Sequence, residues 1–273
     1  MTSIVQIRTS IEKLFAAVLK DNEKLEIVGN INEEAYGHTA GIPTEDWAKT
    51  RLEAEFTIYY PNEILLEIFK LFKNEKDIKN FLETVWWSKL LFTNQQLVDF
   101  LNEKEVKRWQ QEGADLVLFY GKTIAEDSEK VILINVKAHN SLKESRPPNI
   151  MSAQRLLEFF NYTLLKSDSK RRLEQMELLF LGVDYTTAGD QATVNNIHIK
   201  DLFKLDVTEI PQINFDAAIQ IQWHVKDMKE IKQTKKEFIL KLSNEFIKRW
   251  NHHSSAKQEK YEELVKNIKS KLI

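Results

Sequence analysis

Three polar residues at the ends of two apolar runs have the types and spacing to act on a phosphodiester. Asp115 lies at the start of the run ADLVLFY, and Asn135 and Lys137 lie at the end of the run VILINVK. In an extended strand alternate side chains share a face, so Asn135 and Lys137 project to one side and Val136 to the other. If the two runs pair, Asp115 approaches that side. The carboxylate and the amide would then hold a divalent metal, and the ammonium would lie near the attacking water and the scissile phosphate, as phosphodiester hydrolysis requires.

The spacing of these residues is a weak signal by itself. In a chain with 29% charged residues, an acid followed by a distant lysine arises often by chance. The alternative is that Asp115 caps a strand and that Lys137 is a solvated strand end. The polar insert GKTIAEDSEK between the two runs is typical of a hairpin turn, and it predicts that the runs are neighbours.

The hydrophobic periodicity predicts an α/β protein with a mixed central sheet flanked by helices. Helical periodicity covers residues 3–20, 44–57, 61–102, 151–166, 234–251 and 256–271. Strand character covers residues 114–120, 131–137, 176–185, 193–199 and 216–225. We expect a single domain over residues 1–273, with an N-terminal helical region over residues 1–105 and a C-terminal helical tail over residues 234–273. Trp86 and Trp87 are expected to be anchors of the core or of a dimer interface.

The composition excludes several classes of site. There is no cysteine, so disulfides, thiolate zinc sites and thiol nucleophiles are excluded, which suits a reducing cytoplasm. No apolar run approaches the length of a membrane span, and the N-terminus has the pattern of an amphipathic helix rather than a signal peptide. Phosphate-binding loops and G-x-S-x-G motifs are absent, which disfavours nucleotide-driven and ester-cleaving enzymes. We therefore expect a cytoplasmic protein without a membrane partner.

The distribution of charge says more than the net charge of −2. Lys and Arg outnumber Asp and Glu over residues 137–172 and over residues 226–273, so the remainder of the chain is acidic. A dimer that forms a groove for nucleic acid needs a basic inner face and tolerates an acidic outside. The alternative for basic clusters such as 170–172 is a solvated helix face.

Four stretches of the chain, in order, carry a resemblance to a known family. They are GHTAG at 37–41 with Pro43; ADL at 114–116; VK at 136–137 with PNI at 148–150 and SA at 152–153; and IN at 213–214 with AA at 217–218, QIQ at 220–222 and HV at 224–225. In these stretches the chain resembles the HincII-type restriction endonucleases, a branch of the PD-(D/E)xK nuclease superfamily. The resemblance spans residues 37–228, which is most of the chain.

The resemblance implies a function and a set of partners. It implies a homodimeric type II restriction endonuclease that cuts both strands of double-stranded DNA, with Mg²⁺, at the centre of a short and partly degenerate palindrome of the GTYRAC kind. In such a restriction–modification system a cognate DNA methyltransferase protects the same sequence, and no stable complex with it is expected.

Residue by residue, the resemblance makes Asp115 the metal-binding acid and Lys137 the catalytic lysine, with Asn135 in the position of the second acid, where the family has aspartate. It also implies a set of DNA contacts, which are Arg146, Pro147 and Asn149 in the loop that enters the base stack, and Asn214. Arg146 replaces a glutamine of the family, which leaves the recognised sequence open. His139 follows Lys137 by two residues on the same face, and we expect it to contact DNA as well.

Asn135 is the main departure from the family pattern. An amide offers a metal one neutral carbonyl oxygen where a carboxylate offers two anionic oxygens, so metal binding is expected to weaken. Three explanations stay open: a variant engineered to hold DNA uncut, a natural homologue that uses another acid, or a protein that binds DNA without cutting it. Glu45 is the first choice for another acid, because superfamily members often carry a glutamate in the first helix. Thr44 is a candidate N-cap, and the alternative is that Glu45 merely complements the helix dipole.

Overall fold

A six-stranded mixed sheet forms the centre of the protein in the computed structural model. The structure describes residues 4–20, 24–26, 41–72, 74–103, 113–142, 147–188, 191–215, 219–250 and 258–272. The strands are β1 (Lys24–Glu26), β2 (Thr57–Tyr59), β3 (Leu116–Phe119), β4 (Val131–Asn140), β5 (Asn149–Ser152), β6 (Leu178–Ala188), β7 (Gln191–Asp201), β8 (Gln212–Asn214) and β9 (Gln220–Gln222). The order in the central sheet is β1-β7-β6-β4-β3-β2. Only β4 and β6 run parallel among its neighbours, so the predicted mixed sheet is confirmed.

Helices cover both faces of this sheet, as predicted. The helices are α1 (Ile4–Lys20), α2 (Gly41–Leu52), α3 (Pro61–Leu71), α4 (Glu75–Thr84), α5 (Ser88–Leu91), α6 (Asn94–Glu103), α7 (Ala153–Leu164), α8 (Ser169–Gln175), α9 (Lys235–Trp250) and α10 (Gln258–Leu272). Parallel neighbours need a crossover, and β5, α7 and α8 supply it between β4 and β6. Ser152 caps α7, because its hydroxyl accepts the Arg155 N–H at 3.2 Å.

The alternation of side chains along β3 and β4 divides the core into two clusters. Even-numbered residues such as Leu116 and Ile134 pack with Ile11 of α1 and Ala48 of α2. We call this side of the sheet the α1 face. Odd-numbered residues such as Val117 and Leu133 belong to the larger cluster that contains Leu156 and Phe160 of α7. We call this side the α7 face. Since β4 continues its alternation, Asn135, Lys137 and His139 lie on the α7 face.

The β3–β4 hairpin is fixed to the N-terminal helices by two indoles. Trp87 is fully buried, and its Nε1–H donates to the Ser128 carbonyl at 2.8 Å. Trp86 donates in the same way to the Glu129 carbonyl at 3.3 Å. A buried tryptophan whose N–H is hydrogen-bonded contributes both packing area and a fixed direction. These contacts hold the hairpin turn. Of the two predicted places for these anchors, the core or a dimer interface, the structure shows the core.

A glycine allows the chain to enter β3 at close quarters. A Cβ at Gly113 would lie 2.4 Å from Cγ of Leu90, and the Gly113 N–H donates to the Leu90 carbonyl at 3.2 Å. Any larger residue would push the segment away from α5. The start of β3, two residues later, is therefore placed by contact with the helical region and not by the sheet alone.

A second sheet of three antiparallel strands, in the order β5-β9-β8, was not predicted as such. It buries Ile150, Ile213 and Ile221 and carries amide side chains at alternate positions of β8 and β9. The expected strand over residues 216–225 was too long, since β9 has three residues. Strands of three or four residues hold too few alternations for a pattern to reveal them.

The expected continuous helix over residues 61–102 was also wrong. Four helices, α3 to α6, cover this stretch. The side chain of Asn74 accepts the Asp77 N–H at 2.9 Å and starts α4, and Val85 is extended where α4 ends. Hydrophobic periodicity continues across such breaks, because every short helix presents its apolar side to the same core.

The helix expected over residues 44–57 ends earlier than predicted, and its start differs too. Residues 57–59 form β2, and α2 begins at Gly41. Thr44 therefore lies inside the helix, buried at 2% exposure, and is not its N-cap. Among the described residues no helix is both long and apolar enough to cross a membrane. The C-terminal helix packs on the larger cluster through Tyr261, Val265 and Ile268. The single-domain boundaries stay a prediction.

Gly182 is the position where the packing over the polar end of β4 is tightest, and we predict that Gly182→Ala destabilises the protein. It pairs with Lys137 in register, and an added Cβ would lie 2.7 Å from Cβ of Val225. Overpacking of this kind costs about 1–3 kcal/mol in the free energy of unfolding. Denaturant unfolding of Gly182→Ala, Val225→Ala and the double variant measures the coupling. The double variant should lose less free energy of unfolding than the two single variants lose together. Losses that simply add would contradict a clash between the two positions.

Candidate active site

The pairing of β3 with β4 places Asp115 opposite Asn135. The last pair in the ladder is Leu116 with Ile134, and the Asp115 N–H donates to the Ile134 carbonyl at 3.0 Å, which continues the pairing by one residue. Both side chains belong to the α7 face by alternation. The expected approach of Asp115 to Asn135 and Lys137 is therefore present in the structure.

Asp115 is held by the backbone and the side chain of the neighbouring strand. Its Oδ2 accepts the Val136 N–H at 2.6 Å and lies 3.4 Å from Nζ of Lys137. The side chains of Lys137 and Asp115 are 21% and 16% exposed, so both are partly accessible to solvent. A carboxylate and an ammonium in contact at a partly exposed strand end can neutralise one another until a phosphate and a cation separate them.

Asn135 lies deeper than its two companions. Its side chain is buried at 2% exposure, and its Oδ1 has no hydrogen-bond partner among the described residues. A buried carbonyl oxygen without a partner is costly unless another group binds it. This oxygen and the carboxylate of Asp115 fit a divalent cation, although they supply a single negative charge. The described part of the chain contains no group of three His, Asp or Glu residues arranged for a metal.

Further along the same face, a carboxylate links two histidines. Asp184 pairs in register with His139, and its Oδ1 lies 3.2 Å from Nδ1 of His139. Its Oδ2 lies 3.0 Å from Nε2 of His198, which projects from β7. The ring of His224 meets that of His139 edge-on, with centroids 4.7 Å apart. Sequence analysis missed Asp184 and His198, although a lone acid within the apolar run of β6 was a usable signal.

The surroundings lower the pKa of both His139 and Asp184. For His139 burial is the main cause, followed by the charge of Lys226, and both outweigh the opposing effect of Asp184. For Asp184 burial opposes ionisation, but the hydrogen bond from His198 and the neighbouring positive charges bring the pKa below its ordinary value. The arrangement therefore favours a neutral imidazole beside an ionised carboxylate.

The candidate DNA contacts lie in or next to the second sheet, or outside the described residues. Asn149 and Asn214 lie in the second sheet, where each pairs in register with a glutamine of β9, and Oδ1 of Asn149 accepts Nε2–H of Gln222 at 2.9 Å. The Pro148 carbonyl accepts the Trp223 N–H at 3.2 Å, which fixes the end of the loop next to Pro147. Arg146 lies outside the described residues, as do residues 37–40 and 217–218 of the resemblance.

Glu45, the predicted alternative acid, lies in the first turns of α2. This helix packs through Ala48 and Leu52 on the α1 face, whereas Asp115 and Asn135 belong to the α7 face. The participation of Glu45 in metal binding stays a prediction.

Comparison with known proteins decides the family. The family described as "Restriction endonuclease HincII" matches residues 36–271. The chain belongs to the HincII restriction endonuclease family. The resemblance inferred from the four short stretches is thereby confirmed, and the match covers the strands that carry Asp115, Asn135 and Lys137.

Two curated relatives share part of the chain. The type II restriction enzymes HindII, from Haemophilus influenzae (strain ATCC 51907 / DSM 11121 / KW20 / Rd), and HincII, from Haemophilus influenzae, are each 32% identical over 96 residues. The matched region is 35% of this chain and 35% of each relative, so it spans about a third of their length. Among solved structures, the NlaIV restriction endonuclease is 14% identical with a TM-score of 0.37, covering 65% of this chain and 70% of that one. That likeness is too slight to support a structural argument.

Oδ1 of Asn135, which lacks a hydrogen-bond partner in the described part of the chain, leads to a prediction about cation binding. Asn135→Asp places a second negative charge beside Asp115, so we expect tighter binding of Mg²⁺ by calorimetry and a lower melting temperature without metal, because like charges repel. Added Mg²⁺ should restore the melting temperature of this variant more than that of the unchanged protein. Asn135→Leu is the control and should not bind the cation at this site. Equal Mg²⁺ affinities in the Asp and Asn proteins would count against residue 135 as a ligand.

The lowered pKa values of His139 and Asp184 predict that stability falls with acidification. The unfolded chain binds protons at these groups at higher pH than the folded chain does, so stability rises with pH in both ranges. The contribution of His139 is complete above its ordinary pKa of 6.5 and is lost as the pH falls below it. That of Asp184 is lost below its ordinary value of 3.8. Urea unfolding between about pH 7 and about pH 5 should show a shallower slope for His139→Gln. An unchanged slope would contradict the lowered pKa of His139.

Proposed function

We propose that this protein is a type II restriction endonuclease that hydrolyses double-stranded DNA at a short palindrome with Mg²⁺. One observation carries the proposal: Asp115 and Lys137 lie 3.4 Å apart, beside the carbonyl of Asn135, which has no hydrogen-bond partner among the described residues. The family membership and the two relatives described as type II restriction enzymes support the same reaction class. We accordingly assign DNA as the substrate and propose that the basic segments of the chain bind it.

Asp115 and Asn135 would hold the cation, with Glu45 as a further candidate ligand. A divalent cation bound there supplies positive charge to the phosphate oxygens and lowers the pKa of water. Lys137 binds the scissile phosphate and stabilises the charge that develops on it during attack. For this, Nζ of Lys137 has to leave Asp115, and the negatively charged phosphate provides the competing partner.

The second sheet supplies the surface that we assign to base recognition. Asn149 and Asn214 carry both donors and acceptors, which suits contacts with base edges. Arg146 and Pro147 precede this surface, and we assign them to the same contact with DNA. His139 lines one pocket together with Lys137 and Pro148. A palindromic site is matched by a two-fold symmetric protein, so we propose a homodimer. A methyltransferase of the same specificity would protect the host DNA without forming a stable complex.

Cleavage and binding assays on the full-length protein test this function. With Mg²⁺, Lys137→Ala should lose about 10²- to 10³-fold in the single-turnover cleavage rate of mixed-sequence duplex DNA, while its DNA affinity changes little. Asn135→Asp should cleave orders of magnitude faster than the unchanged protein, because the added carboxylate strengthens the cation site. Lys89→Ala is a control at another lysine, whose Nζ pairs with Glu83 at 3.0 Å.

Two outcomes would contradict the proposal. If Asn135→Asp binds Mg²⁺ and duplex DNA but leaves the DNA intact, the chain is a DNA-binding protein on a nuclease scaffold. If neither protein binds duplex DNA at low salt, where phosphate contacts are strongest, the assigned substrate is wrong.

A further inference from the structure

The α7 face carries a strip of polar residues, namely Asn135, Lys137 and His139 on β4, Asp184 on β6 and His198 on β7. The proposed function gives no role to Asp184 and His198. Asp184 holds His139 at 3.2 Å and His198 at 3.0 Å, one histidine on each carboxylate oxygen. The side chains of Asp184 and His139 are 13% and 14% exposed, so the pair is sheltered yet open to solvent on one side. A carboxylate fixed between two rings cannot rotate away, and it therefore fixes the orientation of His139.

The hydrogen bond to Asp184 also decides which nitrogen of His139 is basic. An ionised carboxylate only accepts hydrogen bonds, so Nδ1 of a neutral His139 carries the proton. Nε2 is then the nitrogen with the lone pair. Since burial lowers the pKa of His139, this neutral form prevails at neutral pH.

His139 is also placed where the reaction would occur. It lies two residues beyond Lys137 on β4, on the same face, and a strand rises about 3.3 Å per residue, so the two Cα atoms are roughly 7 Å apart. Lys137 and His139 line one pocket together with Pro148 and Lys226. A phosphate bound by Nζ of Lys137 would therefore lie beside the next outward position of β4, which carries the imidazole of His139.

The residues proposed to hold the cation do not supply a base, and the imidazole of His139 can supply one. Asp115 and Asn135 together supply one negative charge, and Val136 N–H already engages Oδ2 of Asp115 at 2.6 Å. The amide of Asn135 is not a base in water, and the proposed function assigns the carboxylate of Asp115 to the cation. A positioned base with a pKa near the working pH contributes about 10²- to 10⁴-fold to a hydrolysis rate.

We propose that His139 is the general base of the reaction, with Asp184 as the residue that positions it. The proposal rests on the hydrolase function proposed above. Nε2 of His139 takes a proton from water as the water oxygen forms its bond to phosphorus. The bond from phosphorus to the leaving oxygen breaks, and that oxygen takes a proton from solvent. His139 then returns its proton to solvent, so the protein is unchanged.

The charged and titratable groups around His139 determine how the rate depends on pH. Asp184 and His198 face it from β6 and β7, His224 and Lys226 from the segment after β9, and Lys137 from its own strand. Lys226 and His224 disfavour a protonated His139, while Asp184 favours it. The cleavage rate should rise with pH through the pKa of His139 and then level off.

The decisive experiment compares two histidines that share one carboxylate. His139→Gln keeps a hydrogen-bond donor but no basic nitrogen, and His198→Gln makes the matched change on the other oxygen of Asp184. Single-turnover cleavage of mixed-sequence duplex DNA is measured against pH, in the unchanged protein and in the Asn135→Asp background. We expect His139→Gln to lose about 10²-fold or more and to lose the rise of the rate with pH. His198→Gln should keep that rise.

Two measurements without Mg²⁺ separate catalysis from folding and from DNA affinity. Fluorescence anisotropy should show that His139→Gln loses far less in duplex affinity than it loses in cleavage rate. Histidine resonances followed by NMR should show that Asp184→Asn moves the titration of His139 to lower pH, because a favourable negative charge is removed. The rise of the cleavage rate with pH should move in the same direction in this variant.

The results distinguish the failure of this role from the failure of the function. If the unchanged protein and Asn135→Asp both leave DNA uncut, the proposed hydrolase function and the role of His139 as general base are both refuted. If they cut, and His139→Gln cuts as fast with the same pH profile, only the base is refuted. Losses of affinity and of rate in equal proportion would also refute it, since they make His139 a phosphate contact alone.

Discussion

The antiparallel pairing of β3 with β4 is the constraint on which the candidate site depends. It sets Asp115 opposite Asn135, and the Val136 N–H then binds Oδ2 of Asp115 at 2.6 Å. A slip of one residue in this register would turn every side chain of one strand to the other face and separate the acid from the lysine. The buried alternation of Leu116 to Phe119 against Val131 to Ile134 prevents that slip, because it would expose apolar residues. The packing of the core therefore fixes the position of Asp115 relative to Asn135 and Lys137.

The surrounding elements hold this pair of strands in position. Trp86 and Trp87 hold the hairpin turn at one end, and Gly113 brings the start of β3 against α5. At the other end β6 runs parallel to β4 and places Asp184 beside His139. The parallel pairing is what allows residues far apart in sequence to continue the polar strip of β4 across the sheet. The site is thus built on rigid strands and is supported from both ends.

Asn135 shapes the electrostatics of the whole strip. With an amide in place of a carboxylate, the proposed cation site carries one negative charge fewer, and our proposal assigns the proton transfer to the Asp184–His139 pair. The buried Oδ1 of Asn135 has no hydrogen-bond partner among the described residues.

The sequence by itself determined the family, the mixed sheet, the β3–β4 hairpin and the grouping of Asp115, Asn135 and Lys137, because these follow from local alternation and from short motifs. It did not determine the division of residues 61–102 into four helices, since capping by Asn74 leaves the hydrophobic period intact. It also missed the second sheet and the link between His139, Asp184 and His198. Only the tertiary structure decided these, because strands of three residues carry no readable period and register across a parallel pair depends on packing rather than on spacing along the chain.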